Sequence, residues 1–142
     1  MILTDVNVLT YAFRPDSARH TEYRAWLRRL LEGPNAYGVA PQALASVVRI
    51  CTHPGIFKQP SRLDRALAFC DDMLAPAHAT VVQPGDRHWW LFRDLCEASH
   101  ATGNLVQDAW FAALAIEHGC EWITTDRDYD TFPGLRWRRP FD

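Results

Sequence analysis

Three aspartates, far apart along the chain, are the residues best suited to do chemistry together: Asp5, Asp108 and Asp126. Asp108 is the only charge in the apolar run 105–116, where small alanines alternate with large residues. A helix apolar on nearly all faces is a buried helix, and a lone carboxylate on it is costly unless it is paired or binds metal. Asp5 and Asp126 each follow a short strand-like run, at 1–4 and 121–125. Carboxylates without His or Cys neighbours suit a hard cation, Mg²⁺ or Mn²⁺. Clustered acids repel one another, and a divalent ion relieves that repulsion. Such an ion polarises a phosphoryl oxygen and makes hydroxide available near neutral pH, which points to water attacking a phosphodiester. Each acid also has a plainer reading. Asp5 can cap the helix after it, Asp108 can pair with an arginine such as Arg49, and Asp126 can be a turn acid.

The elements that would hold these acids can be read in order. Strand 2–4 leads into helix 6–13. Ser17 is the expected cap of a helix over 18–32, which Gly33-Pro34 ends. Strand 36–39 is followed by a helix opened by Pro41 and running over 42–51. Ser61 is the expected cap of helix 62–73. Strand 80–82, helix 87–99 with its Trp89 and Trp90, and the helix capped by Asn104 follow. Gly119 stops that helix, strand 122–124 comes next, and 135–137 reads as an edge strand. Strands alternating with helices indicate a three-layer α/β/α sandwich with a mainly parallel sheet of four to five strands. In such sheets ligands collect beyond the carboxyl ends of the strands, where Asp5 and Asp126 fall.

The chain has 142 residues, 48% hydrophobic and 12% aromatic, which fits one domain over 1–142 with a real core. A net charge of −2 gives no global attraction to nucleic acid, so a phosphate substrate needs a local patch or a metal. Arginines 14, 19, 127 and 138 are not distinguishable as substrate contacts from sequence. No run is long and apolar enough to span a membrane, and Met1 leads straight into a strand and an acid, so a cytoplasmic protein is expected. Cys51, Cys70, Cys96 and Cys120 lack CxxC spacing and read as free thiols. No glycine loop for a nucleotide triphosphate and no GxSxG sequence occurs.

Asp5-Val6-Asn7 after the first strand, the run from Gly103 to Ala109 opening a helix, and Thr125-Asp126-Arg127-Asp128 after a strand together resemble PIN-domain nucleases. The similarity is closer still to VapC-type toxins of toxin–antitoxin pairs. It extends to the run Arg49 to Pro54 and the ending Phe132 to Trp137. The resemblance implies a Mg²⁺-dependent endoribonuclease, silenced by a VapB-like antitoxin and commonly a homodimer. Asp5 and Asp108 would then hold metal and Asp126 would complete the acidic ring. Asn7 and Thr125 would orient the acids or substrate, and Asp128 would reach a second metal through water. One departure stands out. The family usually carries a Glu on the helix after the second strand, and here the matching position is Ser46, with no Glu on that helix at all. Asp128 or Glu22 could compensate. Two other readings stay open: a PIN fold that binds RNA or protein without cutting, and a Mg²⁺-dependent phosphatase, whose second Asp is replaced here by Asn7.

Overall fold

Short runs of two or three residues, rich in β-branched and aromatic types, form the sheet, and amphipathic segments cover it on both sides. The computed structural model describes residues 1–142. In order the elements are β1 (Ile2–Thr4), α1 (Val6–Phe13), α2 (His20–Glu32), β2 (Tyr37–Val39), α3 (Pro41–Cys51), α4 (Leu63–Leu74), β3 (Ala79–Val81), α5 (His88–Ser99), α6 (Asn104–Glu117), β4 (Glu121–Ile123), a 3-10 helix (Arg127–Thr131) and β5 (Trp137–Arg138). The sheet has five strands in the order β3-β2-β1-β4-β5, and every pairing is parallel. Parallel neighbours need long crossovers, which the helices supply. The chain steps outward from β1 to β3, then returns to lay β4 and β5 on the other side of β1. The reversal leaves its crevice between the carboxyl ends of β1 and β4.

Two cores flank the sheet. Val8, Leu27, Val47 and Met73 from α1 to α4 pack with Tyr37 and Val39 on one side. On the other, Leu95 of α5 and the alanine-rich α6 pack with Leu3, Trp122, Tyr129 and Phe132. All four cysteines are free thiols, and no helix is long and apolar enough to cross a membrane. Glu117 fixes the far end of α6. Its carboxylate accepts the N–H groups of Gly85 (2.7 Å) and Arg87 (2.9 Å), in the turn before α5. A Cβ at Gly85 would stand 2.9 Å from Glu117 Oε2, so a larger residue there would press on the carboxylate that holds the turn.

Several sequence expectations shift. Ser17 does not cap α2, which starts two residues later, after Arg19 in the left-handed conformation. Ser61 does not cap α4 either: its Oγ accepts from Arg14 Nη1 at 3.0 Å. Arg14 is buried, pairs with both oxygens of Asp16 (2.9 and 2.6 Å), donates to Gln59 O (3.1 Å) and lies 3.7 Å over the Phe57 ring. It therefore ties the 52–62 loop to the end of α1. Asn104 is the first residue of α6 rather than its cap, and Gly103 at φ 59° turns the chain into the helix. The first turn of α6 is not buried: Gln107 is exposed and Asp108 half-buried, with full burial confined to Ala109 and the stretch 111–115. Trp89 and Trp90 point to solvent, and Leu95 instead anchors α5.

Candidate active site

The acid at the end of β1 is fixed twice over. Asp5 keeps β1 paired beyond its last residue, its N–H donating to Ile123 O at 2.9 Å. Its Oδ1 then accepts the N–H of Val6 at 2.7 Å, so it also caps α1. Thr124, just past β4 and fully buried, supplies the second restraint. Its hydroxyl donates to Asp5 Oδ2 at 2.6 Å and accepts the N–H of Asp126 at 3.1 Å. With that proton aimed at Asp5, any further partner of Thr124 must be a donor. Asn7 accordingly presents Nδ2 to it at 3.4 Å, which leaves Asn7 Oδ1 buried without a partner.

Asp126 caps the 3-10 helix, its Oδ1 accepting the N–H of Asp128 at 2.8 Å. Asp108 comes from α6 on the opposite wall. Its Oδ1 lies 3.4 Å from the hydroxyl of Tyr129, a residue only 1% exposed. No arginine pairs with Asp108, and Arg49 is exposed.

The acids feel one another. Burial pushes the Asp5 carboxyl up to about 7; the hydrogen bonds from Thr124 and Val6 oppose this, and the charges of Asp108 and Asp126 add to it. Burial likewise raises Asp108 to about 6, with further upward pushes from Asp126 and Asp128 and a downward one from the Tyr129 hydroxyl. The Tyr129 phenol is itself held far above its ordinary range by burial and then by Asp5 and Asp108.

The side chains share one electrostatic neighbourhood but do not converge on a point. No three acidic, histidine or cysteine side chains are close enough, as placed, to hold a single ion. Asp5 and Asp126 are each turned toward the backbone N–H they cap. The donor chemistry still fits a hard divalent cation: the acids present only oxygen, two of them resist ionisation, and the orphaned Asn7 Oδ1 awaits a donor such as a water. Asp128 stands exposed beside Asp126 and acts electrostatically on Asp108. Glu22 does not take the place of the missing acid, since it is locked to Arg19 on the surface. Ser46 is half-buried on α3.

Two participants escaped the sequence reading. Thr124, not Thr125, joins the acids; Thr125 makes none of these contacts. β1 and β4 pair Thr4 with Ile123, so the residues that follow, Asp5 and Thr124, leave the sheet side by side. Tyr129 lies three residues after Asp126, one 3-10 turn on.

The family model for the PIN domain matches residues 2–135. Ribonuclease VapC43 of Mycobacterium tuberculosis is 39% identical over 142 residues, covering 100% of this chain and 97% of the relative. Ribonuclease VapC31 of the same species is 39% identical over 140 residues, covering 99% of each. Among solved structures, VapBC2 from Rickettsia felis bound to a promoter DNA fragment superposes with a TM-score of 0.69 at 19% identity, covering 98% of both chains. VapC20 of M. tuberculosis, described as a sarcin-ricin loop cleaving toxin, gives 0.64 at 16% identity, covering 96% of this chain and 99% of that one. A wholly parallel sheet with acids at its switch point, and a match over nearly the full length, lead to one conclusion: the chain belongs to the PIN domain family.

Proposed function

We propose that this protein is a divalent-metal-dependent endoribonuclease, the toxin of a VapBC-type toxin–antitoxin pair, acting in the cytoplasm. The observation that carries the reading is the electrostatic coupling of Asp5, Asp108 and Asp126 beside the β1/β4 crevice, in a chain 39% identical end to end to proteins named ribonucleases. Asp5, Asp108 and Asp126 would hold Mg²⁺ or Mn²⁺, with Asp128 at the rim. A cation there supplies charge stabilisation for a phosphodiester and a more acidic water. The chain's own residues do the rest. Thr124 Oγ keeps its proton on Asp5 Oδ2 and so fixes that carboxylate's rotamer. Asn7 braces Thr124, and Tyr129 braces Asp108. The buried walls from Leu3, Trp122 and Tyr129 keep bulk water from beneath the acids and strengthen every charge interaction above them. A VapB-like antitoxin is the proposed partner, on the likeness to solved VapBC complexes, and a homodimer the proposed assembly.

The absence of any acid on α3 favours one alternative, a PIN fold that grips RNA without cutting it. Incubating RNA with the purified protein, with Mg²⁺ or Mn²⁺ and then with EDTA, separates the two. Metal-dependent cleavage that Asp5→Ala or Asp108→Asn abolishes supports the nuclease; binding without cutting under both conditions supports the alternative.

A further inference from the structure

The arginines around the acids, equivalent in the sequence, are not equivalent in the fold. Arg14 is consumed inside the 52–62 loop. Arg19 forks onto Glu22, donates to Asp142 O at 3.1 Å and lies 4.6 Å over the Phe141 ring. Arg138 Nε meets Glu121 Oε2 at 3.1 Å. The side chains of Arg127 and Arg139 are exposed and meet no acid. Together with Arg138 these two line an open depression of about 620 Å³ between the 3-10 helix and the last residues of the chain. Trp137 and Phe141 form its apolar walls, and Asp130 and Asp142 are its acids. Asp130 is already engaged, its Oδ1 accepting the indole N–H of Trp137 at 2.8 Å, so the indole is held in one orientation.

The depression opens at the same end of the sheet as the acids. β5 runs parallel to β4 with Arg138 opposite Ile123, and Arg127 directly follows Asp126. In a chain of net charge −2, two uncommitted guanidiniums beside an acidic crevice are a local answer to a polyanion. Guanidiniums fork onto phosphate oxygens, and a fixed indole offers a face to an unpaired base. The geometry points to a subsite for single-stranded RNA here: Arg127 and Arg139 hold backbone phosphates and Trp137 stacks a base, one strand out from Asp126. The inference rests on the ribonuclease reading and assigns where the strand runs as it leaves the acids.

The test titrates a labelled short oligouridylate, in EDTA, into the Asp108→Asn protein, in which cutting is expected to be lost, and follows anisotropy over a series of salt concentrations. Adding Arg127→Gln with Arg139→Gln should weaken binding about tenfold at low salt and reduce the slope of log affinity against log salt by about 1.4, two contacts at about 0.7 each. Trp137→Leu should weaken binding about fivefold and leave the slope unchanged, because stacking releases no counterions. Arg29→Gln, an exposed arginine on α2 away from the depression, should match its parent. Melting curves check folding, and the two arginines have no partners in the fold to lose. Parental affinity and slope in the double arginine variant overturn the subsite, while cleavage of the same RNA by the unmodified protein leaves the nuclease reading standing. A protein that neither binds nor cuts RNA fails the nuclease reading and the subsite with it.

Discussion

At the scale of single residues, Thr124 is the joint of the site. It satisfies Asp5 Oδ2, the Asp126 N–H and the Asn7 amide at once. Thr124→Val keeps the shape but leaves those groups unmet, at a cost of about 1–3 kcal/mol in stability. Cleavage should fall about 10- to 100-fold, the usual loss when a group orienting a metal ligand is removed. Thr124→Ser should recover most of it, and Thr125→Val should change little; urea melts and single-turnover rates measure both effects. Tyr129→Phe retains the ring against Trp122 and Phe132 and removes the O–H that faces Asp108 and the buried indole N–H of Trp122. It should melt near the parent yet need more Mn²⁺ for half-maximal cleavage, a separation that a purely structural tyrosine would not produce. The acids themselves were legible in sequence, because a lone carboxylate on an apolar helix and acids closing two strands are uncommon enough to notice. Thr124 was not. The resemblance to PIN-domain nucleases pointed to Thr125, whereas the pairing of β1 with β4 brings Thr124 beside Asp5.

At the scale of elements, α6 carries Asp108 to the crevice because its core side is made small. Ala109, Ala112, Ala113 and Ala115 are all fully buried and let the helix lie close on α5 and β4. Ala113→Leu should overfill that contact and destabilise the fold by about 1–3 kcal/mol, and activity should drop with it as Asp108 is displaced; denaturant melts and cleavage rates read the two. Helix existence and type were visible from periodicity, but the starts of α2, α4 and α6 were not. Ser17, Ser61 and Asn104 are all good capping types, yet none caps, and Ser61 is taken by Arg14, 47 positions away. Such long-range claims on a side chain leave no local trace. The Arg14 cluster should matter to its loop alone: Arg14→Ala should expose the 52–62 segment to limited proteolysis while cleavage per folded molecule is retained.

At the scale of the whole molecule, alternation of strands and helices indicated a parallel α/β sandwich, and the strand order completes it by making β1 and β4 neighbours across the switch point. That order was beyond periodicity, since it depends on which side of β1 the chain returns to after β3. The same assembly concentrates negative charge, with a thermodynamic consequence. Asp5 and Asp108 have carboxyl groups raised from 3.8 to about 7 and about 6. The folded state therefore binds more protons than the unfolded chain between those values, and this contribution to stability is lost as pH rises from about 4 to about 7. In EDTA the melting temperature should fall across that interval, Asp5→Asn should flatten the fall, and added Mg²⁺ should raise the melting temperature more at pH 8 than at pH 5. A metal effect equal at both pH values would count against carboxylate ligands. The most direct measurement of the central claim is RNA cleavage by the purified protein with Mg²⁺ or Mn²⁺, beside its Asp5→Asn and Asp108→Asn variants. Cleavage is expected from the unmodified protein alone, lost in EDTA and restored by added metal. Equal cleavage by all three proteins, or cleavage untouched by EDTA, would contradict the claim.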